Sequence, residues 1–411
     1  MPRPSLPVVA PDWVDPEAAF VRLFADRPHA FWLDAGVDAT EGWSWMGSGA
    51  PEPDPLRPLR QDASAPAVPS EVGRFRGGWV GWMPYDGTPA WIRVETLLAF
   101  DHARRCVWIV AGGPDVDLSD VGEPGPPPAP EPRGVASGRH TPRGYTRLIE
   151  SCRERIREGD AYQLCLTTRF SVPGAVDPVA TFRRLRRAAS SHHGGLVQMG
   201  DTALVSASPE RFVEVGDGRV HTHPIKGTRP RSDDPHHDRA LIDELRSDPK
   251  ERAENVMIVD LMRNDLSRVC TPASVGVDRL LEVETYPTVH QLVSEVSGEL
   301  RPGTTLHDVV AAAFPAGSMT GAPKASAMAI LAALEGAPRG IYSGAFGWVG
   351  DDGATDLAMV IRSIVCEPDA TWVGAGGGIT WRSVAAAEVA EVGVKARAPL
   401  AAVGAVVPPG W

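Results

Sequence analysis

Between residues 31 and 112, apolar and polar positions alternate in short runs, FWLDAG, GWSWMG, GGWVGWMPYD and CVWIVAGG, each broken by Gly, Pro or Asp. Period-two alternation over such lengths predicts antiparallel strands. From Gly113 to His140 the chain turns to PDVDLSDVGEPGPPPAPEPRGVASG, too rich in Pro, Gly and acid to bury a core, which predicts a surface linker. Beyond it the spacing becomes helical: YTRLIESCRERIREGD predicts a helix closing at Gly159, and YQLCLTTRFSV a strand. Helical and strand segments keep exchanging to the end without a fixed repeat. That gives an α+β class and three regions, a leading one over 1–112, the linker over 113–140 and a main region over 141–411.

The chain has 411 residues, 43% hydrophobic and 23% charged, enough to bury a large core. Its formal charge of -11 is spread without a basic run, so no nucleic-acid partner is expected. A small anionic ligand would need cations or a metal gathered at its site. No apolar run of about 18 residues occurs, and MPRPSLPVVAPDW lacks an apolar stretch ahead of a cleavage site, so no membrane association and a cytoplasmic location are expected. The five cysteines are scattered, without CxxC spacing, and read as small core residues. None lies in a G-x-C-x-G turn of the kind around a glutaminase nucleophile, so glutamine nitrogen would have to be released by another chain.

Four segments carry candidate chemistry. In DPKERAENVMIVDLMRND (248–265), Asp248 is set to cap a helix with Pro249 in its first turn and an apolar stripe from Val256. Glu251 and Glu254, three apart, share a face. Glu251 is equally suited to satisfying free N–H groups at the helix start. The same spacing returns at Glu388 and Glu391 in SVAAAEVAEVGVKARA, among Ala and Val rather than ion-pair partners. Two such helices brought together would offer carboxylate oxygens to a hard divalent ion, for which Mg2+ is suited; the alternative is two solvated acidic faces. In AGSMTGAPKASAMAILAALEG, Thr320, Gly321 and Lys324 at a helix start make a candidate carboxylate seat, or simply a Pro-initiated helix. The run Gly376, Gly377, Gly378 lets backbone approach a ligand, or makes a tight turn. In THPIKGTRPR, Lys226 is an exposed loop lysine by default, or a nucleophile whose pKa the nearby Arg229 and Arg231 would lower.

In their order along 141–400, SASPERF, PIKGTRPR, KERAENVMIVDLMRND, VHQLVSEV, SMTGAPKASAM, YSGAFGWVG, IRSIV and GAGGGIT resemble the chorismate-binding enzymes, which include anthranilate, aminodeoxychorismate, isochorismate and salicylate synthases. The resemblance implies a four-layer α/β/β/α core with two orthogonally packed antiparallel sheets. It implies a Mg2+ site lined by Glu251, Glu254, Glu388 and Glu391, the metal holding the ring carboxylate of chorismate. Tyr342, Arg362 and the backbone of Gly376 to Gly378 would grip the enolpyruvyl carboxylate, with Lys395 among the substrate-binding groups. Thr320 and Gly321 would lie beside the substrate, and His290 near the ring. Glu210 of SASPERF matches the general acid for the departing C4 hydroxyl, a role that needs a carboxyl kept protonated; the bland reading is an ion pair with Arg211 or Arg229.

Two positions choose among members. Water-using members carry a Lys base where this chain has Gln163, which cannot act as a base, so amination is implied. Anthranilate synthases usually have Ala where Lys226 stands, whereas aminodeoxychorismate synthases have Lys, able to add to C2 of the ring before ammonia enters C4. The implied partner is a separate glutamine amidotransferase subunit supplying ammonia. Anthranilate formation and a non-catalytic chorismate- or tryptophan-binding homologue remain the alternatives. Before the last helix the family commonly has a small residue, then Asp and Ser; here Trp381, Arg382 and Ser383 stand instead.

Overall fold

The computed structural model describes residues 7–10, 12–66, 70–111, 116–189, 191–286 and 289–411. Its helices are α1 (Pro16–Leu23), α2 (Pro142–Arg157), α3 (Pro178–Ala188), α4 (Pro235–Ser247), α5 (Pro249–Ser267), α6 (Leu306–Ala313), α7 (Lys324–Glu335) and α8 (Ala385–Ala402). Five of them start the same way. Asp15, Thr141, Asp177, Asp234 and Asp248 each accept backbone N–H groups of the first turn, with Pro just inside the helix, where its missing N–H costs nothing.

The strands form two antiparallel faces that share one strand. On the first face Gln163–Pro173 is followed by Ala370–Thr380, Ser363–Cys366, Thr202–Ser208, His193–Met199, His29–Asp34, Trp43–Pro51 and Ala90–Asp101. On the second, Ala90–Asp101 is followed by Gly78–Met83, Ala345–Gly350, Thr355–Met359, Arg211–Gly216, Arg219–His223 and Val289–Glu299. Val289–Glu299 in turn carries both Gly276–Thr285 and Ile225–Pro230. The shared strand changes sheet where its register against Trp43–Pro51 shifts between Ser48 and Gly49. A Cβ at Gly49 would lie 1.9 Å from the Arg93 carbonyl oxygen, so the corner requires glycine. Sheets that turn corners on bulged strands pack orthogonally.

Three apolar clusters divide the molecule into layers. Phe20, Tyr145, Ile149, Phe182, Val389 and Val392 of the helices pack on Leu164, Leu166, Phe170, Leu196 and Val373 of the first sheet. Phe31, Val80, Trp82, Ile92, Leu204, Phe346 and Trp348 fill the space between the sheets. Ile258, Val259, Met262, Leu266 and Val309 cover Val213, Val296 and Leu357 of the second sheet. This is the α/β/β/α sandwich of the α+β class. Alternate residues of FWLDAG enter different clusters, Phe31 the inter-sheet layer and Trp32 the helix-covered one, so both faces of that strand are covered.

The leading region is woven into both sheets: His29–Asp34 pairs with His193–Met199, and Gly78–Met83 with Ala345–Gly350. Residues 113–115 of the expected linker lie outside the described residues. From 116 to 133 the segment runs as irregular chain, with Val116, Leu118 and Val121 packed against the core and the Gly125 and Pro128 carbonyls accepting from Arg183 and Arg184; it then pairs as short strands, Gly134–Val135 with Ala405–Val406 and Ser137–Gly138 with Gln163–Pro173. It is fastened down along its length. Among the described residues no helix is long and apolar enough to cross a membrane.

Candidate active site

Helix α5 is fixed at both ends. Asp248 accepts from the Lys250 and Glu251 amides; Asn255 accepts from Ser294 at 2.6 Å and donates to the Leu292 carbonyl; Asp265 accepts from Lys324 at 2.7 Å. Three expectations change here. Asp248 alone caps the helix, leaving the Glu251 side chain free of cap bonds among the described residues. The buried stripe begins at Ile258, since Val256 is exposed. Lys324, expected in a carboxylate seat, is instead committed to Asp265 and the Ala313 carbonyl.

Helix α8 lies on the strand Ala370–Thr380, and the glycines of that strand let it come close. At Gly377 a Cβ would stand 3.4 Å from Glu388 Oε2, 3.9 Å from Glu391 Oε1 and 3.9 Å from Lys395 Nζ. At Gly378 it would meet Gln163 Nε2 at 2.5 Å and Glu254 Oε2 at 3.7 Å. At Gly376 it would collide with the Leu166 carbonyl oxygen at 2.4 Å, so this glycine serves the sheet pairing. The bare backbone of Gly377 and Gly378 therefore looks onto carboxylates from both α5 and α8.

Lys250 joins the two helices. Its Nζ lies 3.1 Å from Glu388 Oε1 and 3.8 Å from Glu254 Oε1. Lys395 Nζ lies 2.7 Å from Glu391 and donates to the Gly376 carbonyl. The expectation that Glu388 and Glu391 lack ion-pair partners is thus corrected. The partners come from a helix more than 130 positions away and from one turn along α8, and α8 reads as Ala and Val only in its immediate neighbours. Among the described residues the four glutamates do not close into a group with ligand atoms within 4.8 Å of one another; ammonium groups stand among them. One Glu254 oxygen, Oε1, is buried without a hydrogen bond. Burial pushes the Glu254 carboxyl up, with Lys226 and Lys250 pulling the other way, and burial likewise raises Glu251.

Lys226 belongs to the strand Ile225–Pro230 rather than to an exposed loop. The register against Val289–Glu299 shifts between Ile225 and Thr228, a bulge that re-aims the lysine. Gly227 has φ +79° and a Cβ there would lie 3.1 Å from Glu251 Cγ. Arg229 and Arg231 do not lower the Lys226 pKa: Arg229 pairs with Glu244 and Asp248, and Arg231 with Asp238. Burial works against the Lys226 charge, but Glu254, Glu210 and Glu391 outweigh it and hold the amine as an ammonium.

Glu210 is buried in the turn before Arg211–Gly216, with Oε1 lacking a hydrogen bond. Burial raises its pKa, against the nearby Ser318 hydroxyl, Lys226 and Lys395. Its alternative ion-pair partners are engaged elsewhere, Arg211 with Glu214 and Asp356. Gln163 is fully buried with both amide atoms unpartnered, an expensive state that a ligand would relieve. Tyr342 lies against Gly374, where a Cβ would be 2.1 Å from the ring. Arg362 is held at φ +53°, has no ion pair among the described residues, and feels Tyr342 and Glu391 while burial lowers its pKa. A half-buried guanidinium without an acid in a cleft is suited to a carboxylate.

Thr320 and Gly321 are backbone elements here. The Thr320 hydroxyl donates to the Ala316 carbonyl, and a Cβ on Gly321 would sit 2.1 Å from the Gln163 carbonyl oxygen. His290 is fully buried, with its ring nitrogens 2.9 Å from Thr285 and 2.9 Å from Asp238; it ties strand to helix α4. Trp381 is exposed, beside the Arg153 guanidinium. Lys250 escaped the sequence reading, although its four-residue spacing from Glu254 was visible.

A model of the chorismate binding enzyme family matches residues 22–401. The chain is 36% identical to an aminodeoxychorismate synthase of Streptomyces pristinaespiralis, over 94% of this chain and 63% of that protein. It spans less than two thirds of that relative. It is also 36% identical to anthranilate synthase component 1 of Streptomyces coelicolor, over 95% of this chain and 87% of the other. The crystal structure of anthranilate synthase component I from Streptococcus pneumoniae superposes with a TM-score of 0.72 at 29% identity, covering 95% of this chain and 98% of that one. With the fold and the ordered motifs matched over nearly its whole length, this chain belongs to the chorismate-binding enzyme family.

Proposed function

We propose that the chain is the chorismate-aminating component of an aminodeoxychorismate synthase, converting chorismate and ammonia to 4-amino-4-deoxychorismate, with ammonia supplied by a separate glutaminase. The observation that carries this reading is Lys226, directed by a bulge toward Glu210, Glu254 and Glu391 and accompanied by the orphaned amide of Gln163 in place of a base. The acids of α5 and α8 fit Mg2+: they are hard oxygen donors on facing helices, one buried oxygen, Glu254 Oε1, lacks a hydrogen bond, and the Lys250 ammonium already bridges Glu254 and Glu388. Glu251, Glu254, Glu388 and Glu391 would hold the ion, which when bound supplies a positive charge for the ring carboxylate.

The chain's own groups account for the remaining steps. Arg362 and the Tyr342 hydroxyl hold the enolpyruvyl carboxylate. One proton passed from Lys226 to Glu210 leaves a free amine and a carboxylic acid together, as amination requires. The amine bonds to C2, the ring double bonds shift, and the C4–O bond breaks with the Glu210 proton leaving in water. Ammonia then bonds to C4, the double bonds return and the C2–N bond to Lys226 breaks; Glu210 takes up the proton that ammonia sheds. The enolpyruvyl group is kept, so a separate lyase must act to form an aminobenzoate. In Lys226→Ala, 4-amination in chorismate, Mg2+ and ammonium should fall by more than about 100-fold or give way to another product; full activity would refute the covalent role.

Anthranilate synthesis is the second reading, favoured by the equal identity to an anthranilate synthase component. It shares the metal, ammonia and Glu210 and differs in using C2 amination with loss of pyruvate.

A further inference from the structure

The strand Arg219–His223 carries His221 and His223 at alternate positions, so both project to one side of the second sheet. Thr222, opposite Val296, belongs to the buried core face, and His221, opposite Ser297, to the other. Glu295 shares that other face on the adjacent strand. Its Oε1 lies 3.0 Å from His221 Nδ1 and 3.4 Å from His223 Nε2. A third strand contributes Asp278. Val277 pairs with Val296 and Arg279 with Glu295, which leaves Asp278 as the extra residue of a bulge, a device that re-aims a side chain. Ligand atoms of His221, Asp278 and Glu295 all lie within 4.8 Å of one another.

The neighbouring cations are neutralised elsewhere. Arg211 pairs with Glu214 and Asp356, Arg219 with Glu299, and Arg279 with Glu282 and Glu284. Glu295 pairs with the two histidines alone among the described residues. His223 Nδ1 is buried without a hydrogen-bond partner among the described residues.

We propose that His221, His223, Asp278 and Glu295 form a second cation site, selective for a transition metal of the Zn2+ type and separate from the glutamate cleft. His221, Asp278 and Glu295 already bring three donors together, and His223, 3.4 Å from Glu295, stands outside that trio as the second imidazole that would complete the four-coordination Zn2+ accepts. The all-oxygen cleft favours Mg2+, so donor chemistry sorts the two ions. The site clamps the strand that leads, through Pro224, into the Lys226 segment, and its occupancy stiffens that approach.

The test uses the full chain, stripped with a chelator and held in excess Mg2+ so that the oxygen-donor cleft is filled. Zn2+ is titrated against a chromophoric zinc indicator, and Co2+ binding is followed by its visible absorption. One tight site is expected, weakened at least ~10-fold by His221→Asn, His223→Asn or Glu295→Gln and unchanged by Glu388→Gln. Histidine modification of the parent chain, mapped by peptide mass, should show His221 and His223 protected by Zn2+, a reading independent of whether any variant folds. Failure to take Zn2+ from the indicator, or equal binding by the His221→Asn/His223→Asn double variant, would overturn the proposal.

Discussion

The charges around Glu210 and Lys250 decide what each residue of the cleft does. Burial raises the Glu210 pKa, which eases its taking a proton from Lys226. Its contribution to stability is complete below the unfolded pKa and is lost as pH rises through the folded value. The same sign would govern the proposed amination, in which Glu210 is the general acid and must carry its proton: turnover should fall as pH climbs through that raised pKa. Glu210→Gln is expected to lower kcat by about 100- to 10,000-fold and to abolish that limb of the profile. Its thermal midpoint near neutral pH should be equal to or above that of the parent, since no buried carboxylate is left to ionise. A variant that loses both activity and stability would speak for a structural role instead. Lys250 supplies a second residue-level expectation. Its ammonium bridges Glu254 and Glu388 where a divalent ion would act, so the two compete. Lys250→Met should unfold at lower temperature without metal and bind Mg2+ about five-fold more tightly in calorimetry, the ~1 kcal/mol scale of a partly exposed pair; unchanged affinity would show that the lysine leaves the ion's position free.

At the scale of elements, the helices that carry the acids were legible because their signals are local. Asp248-Pro249 marks the start of α5, and Gly159 closes the turn after α2. Lys226 was harder. Flanking Pro and Gly suggested a loop, yet the segment pairs with Val289–Glu299 across a bulge, a long-range contact that no local window contains. The expected pKa effect of Arg229 and Arg231 failed for the same reason. On an extended strand the two arginines reach outward to α4 and its neighbours, and acids from α5 and α8 arrive from the far side. The bulge depends on Gly227, whose φ of +79° is left-handed and whose hydrogen faces Glu251 and Leu245. Gly227→Ala should cost at least ~1 kcal/mol in denaturant unfolding and weaken Mg2+ binding, because the added methyl presses on Glu251. Wild-type values in both measurements would mean that the strand carries no constraint on the cleft.

For the whole molecule, the class, the alternation of helix and strand and the sheet character of residues 31–112 could be read in advance. The way in which the leading region closes the fold could not. Its strands pair with residues 193–199 and 345–350, and a corner at Gly49 transfers the chain from one sheet to the other; hydrophobic periodicity fixes which face a residue takes but not which strand lies beside it. The cleft arises from that closure, as α5 covers one sheet and α8 the other while their acids converge on the backbone of Gly377 and Gly378. The choice of product belongs to this scale, since in the proposed reaction the cleft as a whole would set C2 and C4 against Lys226 and ammonia. The most direct test is to supply the purified chain with chorismate, Mg2+ and an ammonium salt at alkaline pH and to identify the product by mass and fluorescence. The account predicts a species with OH exchanged for NH2 and the enolpyruvyl group retained, which an added lyase converts to 4-aminobenzoate; fluorescent anthranilate released together with pyruvate would contradict it.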